Sequence, residues 1–420
     1  MSWEKIELSK IKTLIFQALE ENLSYYNDII MGLPATHLDE KIFPNDSDFL
    51  KEAPYLRSFI ENPNHIGLHT HRLSMEIFKG TQGIEVDLLR ICAEEILKAK
   101  ENSYDGYIAS GGTECNIQAL WVYREYYKKI QNATNNAIGV LFSEDTHYSI
   151  HKACNILELT PLKIKVEKKS RNLDLDNLKE KIEILSNQKI KHLILVLNMG
   201  TTMYGSVDDF NAIVNTLDAY KVDYKIHVDA AFGGFIYPFT NEKNLYNFSN
   251  HKIQSISMDA HKLLKAPYGT GIFIIRKGYV ENVLTEEAEY IKGLDYTISG
   301  SRSGANAIAV WMILNAYGED GIKNRMNLLI EKTEFLTKFL KELGVSFYRN
   351  NFMNIIAIRS EDIPRSICEK YGLEPDTYSG DVQWWKIVMM DHIRWDMISN
   401  FKKDMIEYHS ISSIEAAESF

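Results

Sequence analysis

The sequence is short of cysteine. It has four in 420 residues (Cys92, Cys115, Cys154, Cys368), and none stand in CxxC spacing. That excludes a disulfide-stapled scaffold and a cysteine zinc site. It leads one to expect buried thiols in a reducing compartment, the cytoplasm by default. Positive charge is also in deficit: the net charge is −10, which argues against nucleic acid as the main partner. No apolar run approaches the ~20 residues of a membrane span, so no membrane partner is expected. The opening MSWEKIELSKIKTL reads as a charged amphipathic helix rather than a secretory signal. Internal repeats, low-complexity linkers and long runs of one charge are absent. What remains is ordinary: 45% hydrophobic and 25% charged residues, in a length that suits a large domain plus a smaller one.

Read in order, the chain alternates. Residues 1 to about 60 carry helical periodicity (Ile6, Ile11, Leu14, Ile15, Leu19), then an irregular stretch with Pro34, Pro44 and Pro54. Such an arm often packs on another subunit. The segment NPNHIGLHTH, Asn62 to His71, follows. Its three histidines suggest a metal, but no Asp, Glu or Cys ligand pattern accompanies them. A loop lining a polar site is the simpler reading, with no metal. Periodicity predicts helices over 84–99, 116–129, 305–316 and 320–344, and from Ser149 and Val207 onward. It predicts strands over 107–109, 137–142, 193–197 and 271–276, and from Lys225. Short strands at 345–348, 355–358 and 387–390 alternate with helices in a small α+β unit.

Four features fall at the C-terminal ends of these strands, where open α/β sheets place ligands. Ser110-Gly111-Gly112-Thr113-Glu114 joins a strand to a helix. Its free N–H groups and the helix dipole can face a phosphate, although a plain strand–helix turn has the same composition. It is neither a Walker loop nor GxGxxG. His147 sits just past the next strand; it can equally be a capping or core histidine. Asp229 ends an apolar strand, where a buried carboxylate needs a partner, be it a protonated ring nitrogen or local N–H groups. Lys262 lies between His261 and an apolar segment in SISMDAHKLLKAPYGTG. Burying a lysine is expensive unless its amine is used, and one use is covalent bonding to a carbonyl. Taken alone it reads as a solvated loop lysine. A second anion-friendly turn, Thr297 to Gly304, holds Ser301 and Arg302.

YIASGGTECNIQAL, HVDAAFGGF, SMDAHK and ISGSRSGA together resemble the group II pyridoxal phosphate (PLP)-dependent amino acid decarboxylases. They look most like the archaeal-type tyrosine/aspartate decarboxylase branch, with histidine and serine decarboxylases as relatives. The likeness covers roughly residues 60–320, and the remainder more loosely. It implies an α/β fold, the PLP-dependent transferase (aspartate aminotransferase type I) fold, with a large mixed-sheet domain and a small C-terminal α+β domain. The corresponding division is an arm at 1–60, a PLP-binding domain at 61–304 and a small domain at 305–420. It further implies that Lys262 holds PLP as a Schiff base and that Asp229 pairs with the ring nitrogen. Ala231 would pack beneath the ring and His147 on its other face. Gly111, Gly112 and Thr113 would bind the phosphate with His261, and Thr202 would sit near the ring hydroxyl. Ser301 would reach the phosphate across a homodimer interface. Tyr290 would deliver a proton to Cα from the neighbouring subunit.

Tyrosine at position 290 argues for an amine product rather than an aldehyde. The branch favours aspartate, glutamate or tyrosine as substrate, with histidine or another polar amino acid as runner-up. A carbon–carbon lyase on the same fold would need a second phosphate site, and no basic cluster supplies one. His65, His69 and Tyr104 are candidates to line the side-chain pocket. Arg302 is a candidate for a substrate carboxylate, or a dimer-interface arginine. The role of the HTH segment at 69–71 stays open.

Overall fold

A computed structural model describes residues 3–24, 28–32, 37–71, 76–187, 190–285 and 294–418. Helices α1 (Leu8–Glu20) and α2 (Pro54–Glu61) lead to β1 (Asn64–Ile66) and α3 (Lys79–Arg90). The wound part follows as β2 (Tyr104–Ala109), α4 (Gly112–Gln131), β3 (Ile138–Ser143), α5 (Ser149–Leu157), β4 (Thr160–Ile164), α6 (Leu175–Asn187), β5 (His192–Asn198), α7 (Phe210–Ala219) and β6 (Asp223–Ala230). Then come α8 (Tyr237–Thr240), β7 (Ile253–Asp259), α9 (Ala260–Leu263), β8 (Gly271–Arg276), β9 (Ser301–Ser303) and the long α10 (Gly304–Glu342). One seven-stranded sheet runs β2-β8-β7-β6-β5-β3-β4. β8 runs antiparallel to both its neighbours, β2 and β7, and the remaining pairs are parallel.

Strand β5 shows why this sheet is sandwiched. It reads HLILVLN and is buried from Leu193 to its end. Its side chains alternate with period two. Leu193, Leu195 and Leu197 pack with Ile11, Leu88, Leu178, Ile213 and Ile308 of α1, α3, α6, α7 and α10. Ile194 and Val196 pack with Leu120, Tyr123 and Tyr127 of α4 and Ile150 of α5. A strand apolar on both faces therefore needs helices on both faces. A second sheet, in the order β10-β11-β13-β12, joins β10 (Phe347–Tyr348), β11 (Ile355–Arg359), β12 (Glu374–Pro375) and β13 (Trp384–Val388). With α11 (Arg365–Tyr371) and α12 (Trp395–Glu418) it encloses its own core, including Leu340, Ile356, Ile358 and Phe401.

Several local expectations are revised. The two helices expected over 305–344 form one element broken at Gly318, whose φ is +63°. A Cβ there would stand 2.5 Å from the backbone nitrogen of Lys5, so only glycine lets the N-terminal segment cross. The helix expected over 84–99 changes pitch after Arg90. Ile91–Ile96 is a π-helix, closed by the Leu97 N–H to Cys92 C=O bond. Strand β4 was not anticipated because Pro161 interrupts it; the strand lies at the sheet edge, where a proline costs no ladder bond. All four cysteines are buried and free. Among the described residues no helix is long and apolar enough to cross a membrane.

Candidate active site

The C-terminal ends of β2, β3, β5, β6 and β7 open into one cavity of about 340 Å³. Register sets its floor: Asn198 of β5 pairs with Asp229 of β6, and Asp229 with Ser257 of β7. Of the residues singled out in the sequence, Gly111, Gly112, Thr113, His147, Thr202, Asp229, Ala231, His261 and Lys262 all line this cavity. They come from five separate loops, brought together because every parallel strand ends on the same side.

Asp229 is 8% exposed and fully engaged on its inner side. Its Oδ2 accepts from Asn116 Nδ2 at 2.8 Å and its Oδ1 from the Ala231 N–H at 3.1 Å. Behind it lies His227, whose Nε2 is 2.9 Å from Asn116 Oδ1 and whose pKa burial pushes down to about 4. His147 contacts Ser149 through Nδ1, 2.9 Å from the hydroxyl. Burial lowers its pKa, against the pull of Asp229. Asn198 is tied to Thr146 and to buried Asp208, each at 2.8 Å.

The opposite wall carries Lys262, whose Nζ is 3.2 Å from Asp259 Oδ2; His261 Nε2 is 3.5 Å from the same oxygen. Burial raises the Asp259 pKa against the pull of Lys262 and His261, and burial lowers that of His261. Two buried polar atoms here, His261 Nδ1 and Asp259 Oδ1, have no protein partner. The twenty-residue helix α4 begins at Gly112 with no side-chain cap. A Cβ on Gly111 would point toward His261 Cε1, 3.7 Å away, and one on Gly112 would lie 3.0 Å from the Ala231 Cβ. A side chain at either glycine would therefore narrow the cradle. Free N–H groups, an unpartnered imidazole nitrogen and a reachable amine fit the phosphate and aldehyde of PLP. Ala231 and His147 both border the same cavity.

The other candidates lie elsewhere. Ser301 is exposed and its hydroxyl accepts from Asn64 at 3.1 Å. Arg302 is buried, paired through β9 with His65 of β1. Its Nη1 donates to Glu85 Oε1 at 2.6 Å and to the Ile108 carbonyl, and its Nη2 to the Gly67 carbonyl at 2.6 Å. Both terminal nitrogens are spent on the protein's own oxygens, Nε is buried without a partner, and Arg302 does not line the cavity, which removes its reading as a substrate-carboxylate ligand. His65 Nδ1 is 2.5 Å from Glu85 Oε2, and its Nε2 is 3.0 Å from Thr81. Burial sends the His69 pKa down to about 3. Burial alone would raise Glu85, but Arg302 and the two histidines outweigh it and hold the carboxyl well below the usual range. His65, His69 and Glu85 bring three ligand atoms within 4.8 Å of one another. The guanidinium on the same carboxylate opposes a cation there. Neither histidine lines the cavity. His71 pairs with Asp105 at 2.9 Å, a hydrogen bond that raises its pKa. Tyr104 bonds Glu94 at the far end of β2. Tyr290 lies outside the described residues.

Two groups were missed. Asn116 was inside a quoted motif, but nothing local marks it as the contact to Asp229. Lys386 comes from the second sheet, and its Nζ donates to the Thr202 carbonyl at the cavity wall, 3.2 Å away. Burial lowers its pKa, with Lys262 adding to the effect. A lysine in the strand WWKIV carries no local sign of that reach.

Comparison with known proteins agrees with this geometry. A family described as the pyridoxal-dependent decarboxylase conserved domain matches residues 83–352. A tryptophan decarboxylase of Clostridium sporogenes is 42% identical over 407 residues, 97% of this chain and 98% of its own. A probable L-tyrosine/L-aspartate decarboxylase of Methanosphaera stadtmanae is 28% identical, covering 87% of this chain and 95% of its own. Among solved structures, Oryza sativa TDC with PLP and tryptamine superposes with a TM-score of 0.70 at 14% identity, covering 96% of this chain and all of that one. That last likeness speaks for the fold alone.

Proposed function

We propose that this chain, which belongs to the pyridoxal-dependent decarboxylase family and is a PLP-dependent amino acid decarboxylase, acts on aromatic L-amino acids, tryptophan foremost. The observation that carries the reading is the 42% identity, over nearly all of both chains, to a tryptophan decarboxylase. It favours aromatic substrates, tyrosine among them, over aspartate and glutamate; the tyrosine/aspartate branch matches at 28%. The cavity supports this order. The cationic side chains among its described lining residues are Lys262 and, when protonated, His147 and His261, with Lys386 held to the Thr202 carbonyl at the wall. The arginine that would have met an acidic side chain is bound to Glu85.

When bound, PLP supplies an electron sink for the pair left on Cα as CO2 departs. The chain's own residues do the rest. Lys262 offers the amine that holds the cofactor, and Asp259, 3.2 Å away, keeps that amine beside the cavity floor. Asp229 meets the ring nitrogen and favours its protonated form. His147 closes the face opposite Ala231. The α4 N-terminus with His261 takes the phosphate. Lys386, reaching in from the second sheet, meets the substrate α-carboxylate and orients it. Tyr290 donates the proton to Cα. The chain works as a homodimer in the cytoplasm. Exposed Ile29, Met31, Ile42, Phe43 and Phe49 on the N-terminal segment support a second copy as their cover.

The test is to incubate PLP-loaded protein with each common L-amino acid and read amine and CO2 by mass spectrometry. Tryptamine from tryptophan, with aspartate and glutamate untouched, is expected. β-Alanine or histamine as the main amine would overturn the aromatic reading.

A further inference from the structure

Beneath the cavity floor lies a polar cluster that the reaction as described does not use. Asn116 (1% exposed) is its hub, and His227, Ser149, Ser255, Ser257 and Tyr123 are all fully buried. Every side-chain hydrogen-bonding position of the Asn116 amide is occupied. Nδ2 is 2.8 Å from Asp229 Oδ2 and 2.9 Å from Ser149 Oγ. Oδ1 is 2.9 Å from His227 Nε2 and 3.1 Å from Ser257 Oγ.

The amide has one consistent orientation. A carboxylate only accepts, so the nitrogen must face Asp229. The oxygen then faces His227, whose Nε2 must carry the ring proton. Its bare Nδ1 accepts from Ser255 Oγ at 2.7 Å, and that hydroxyl in turn accepts from Tyr123 at 2.5 Å. The second amide hydrogen goes to Ser149 Oγ, which leaves the serine proton for His147 Nδ1, 2.9 Å away. The Ser149 backbone N–H points at the same nitrogen from 3.3 Å. His147 therefore also carries its proton on Nε2.

We infer that Asn116 is a positioning residue: its single amide, oriented by Asp229, sets the tautomer of His147 in the cavity and of His227 behind it. His147, which follows β3, and His227, within β6, share one instruction. The consequence is that neutral His147 presents an N–H at Nε2 rather than a lone pair. The inference does not depend on which amino acid is the substrate. Burial favours the neutral form of both rings, which a tautomer assignment requires.

The test is long-range 1H–15N spectroscopy of histidine-labelled full-length protein, apo and PLP-loaded. Wild type should show His147 and His227 as Nε2–H tautomers. Ser149→Ala leaves Asp229 and Asn116 in place. It should lower the Nε2–H to Nδ1–H ratio of His147 about fivefold, the effect of one neutral hydrogen bond, with His227 unchanged. Asn116→Asp keeps an acceptor toward His227 Nε2 and turns the Ser149 hydroxyl toward the new carboxylate, so it should move His147 by about tenfold or more and leave His227 as Nε2–H. His227→Gln keeps a donor toward Asn116 and should leave His147 as in wild type. An Nδ1–H His147 in wild type, or a His147 unmoved by Ser149→Ala, would overturn the inference. The Ser149→Ala arm decides it even where Asn116→Asp does not fold.

Discussion

Two buried clusters in this chain use the same parts to opposite ends. Each has a carboxylate held by histidine and amide or guanidinium partners. Around Asp229, the donors approach from below: the Ala231 N–H and Asn116, the latter held in turn by His227. The upper side is the cavity, bordered by the unpartnered Asp259 Oδ1 and His261 Nδ1. Around Glu85, donors converge from all sides: Arg302, His65 and the Ile108 N–H. It is 1% exposed, and what it stabilises is the joint between β1, β9 and α3. The difference separates a site from a scaffold. Both bury charge and both leave polar atoms without a partner, Arg302 Nε and the His69 nitrogens among them, but only the Asp229 cluster borders the cavity.

Substitutions should separate the two clusters. The largest effect should come from Lys262→Ala, which removes the amine from the open cluster. Turnover should fall on the order of a thousandfold or more, with the urea midpoint little changed; retained turnover would move the reaction to another lysine. The closed cluster should behave the other way. Arg302→Leu leaves Glu85 buried and uncompensated and should cost about 3–5 kcal/mol of stability, read by urea unfolding. A loss under about 1 kcal/mol would mean that Glu85 is not held by this arginine.

A third test uses pH. His227 has a folded pKa of about 4 against 6.5 unfolded, so the unfolded chain binds the proton first. Its neutral burial is fully tolerated above pH 6.5 and becomes destabilising as pH falls from about 6.5 to about 4. Relative to His227→Gln, wild type should lose about 3 kcal/mol across that window. Parallel stability curves for the two proteins would show that His227 is not buried neutral. The smallest effect should be that of Lys386→Met: KM raised about tenfold with kcat less affected, as fits a lost carboxylate contact. A fall in kcat with KM unchanged would place Lys386 elsewhere in the cycle.

The fold and much of the cavity were legible because they follow from period and order. Alternating strands and helices dictate a parallel sheet. That sheet dictates that Gly111, His147, Asp229 and Lys262, each just past a strand, meet on one side. What could not be read were contacts made over long separations. Arg302 sits in a glycine- and hydroxyl-rich turn that looks ready for an anion; its carboxylate, Glu85, is 217 residues earlier. Lys386 reaches Thr202 across 184 residues and two sheets. Asn116 is one polar residue on a helix until Asp229, 113 residues on, is folded against it. Gly318 reads as a helix end and is instead the gap through which Lys5 passes.

The cavity at Lys262 is the proposed seat of PLP. The most direct measurement is borohydride reduction of the PLP-loaded protein, which makes a lysine–cofactor carbon–nitrogen bond permanent, followed by digestion and mass spectrometry. A single pyridoxyl adduct on the peptide carrying Lys262 is the predicted result. An adduct on Lys265, Lys386 or any other lysine, with Lys262 unmodified, would contradict it.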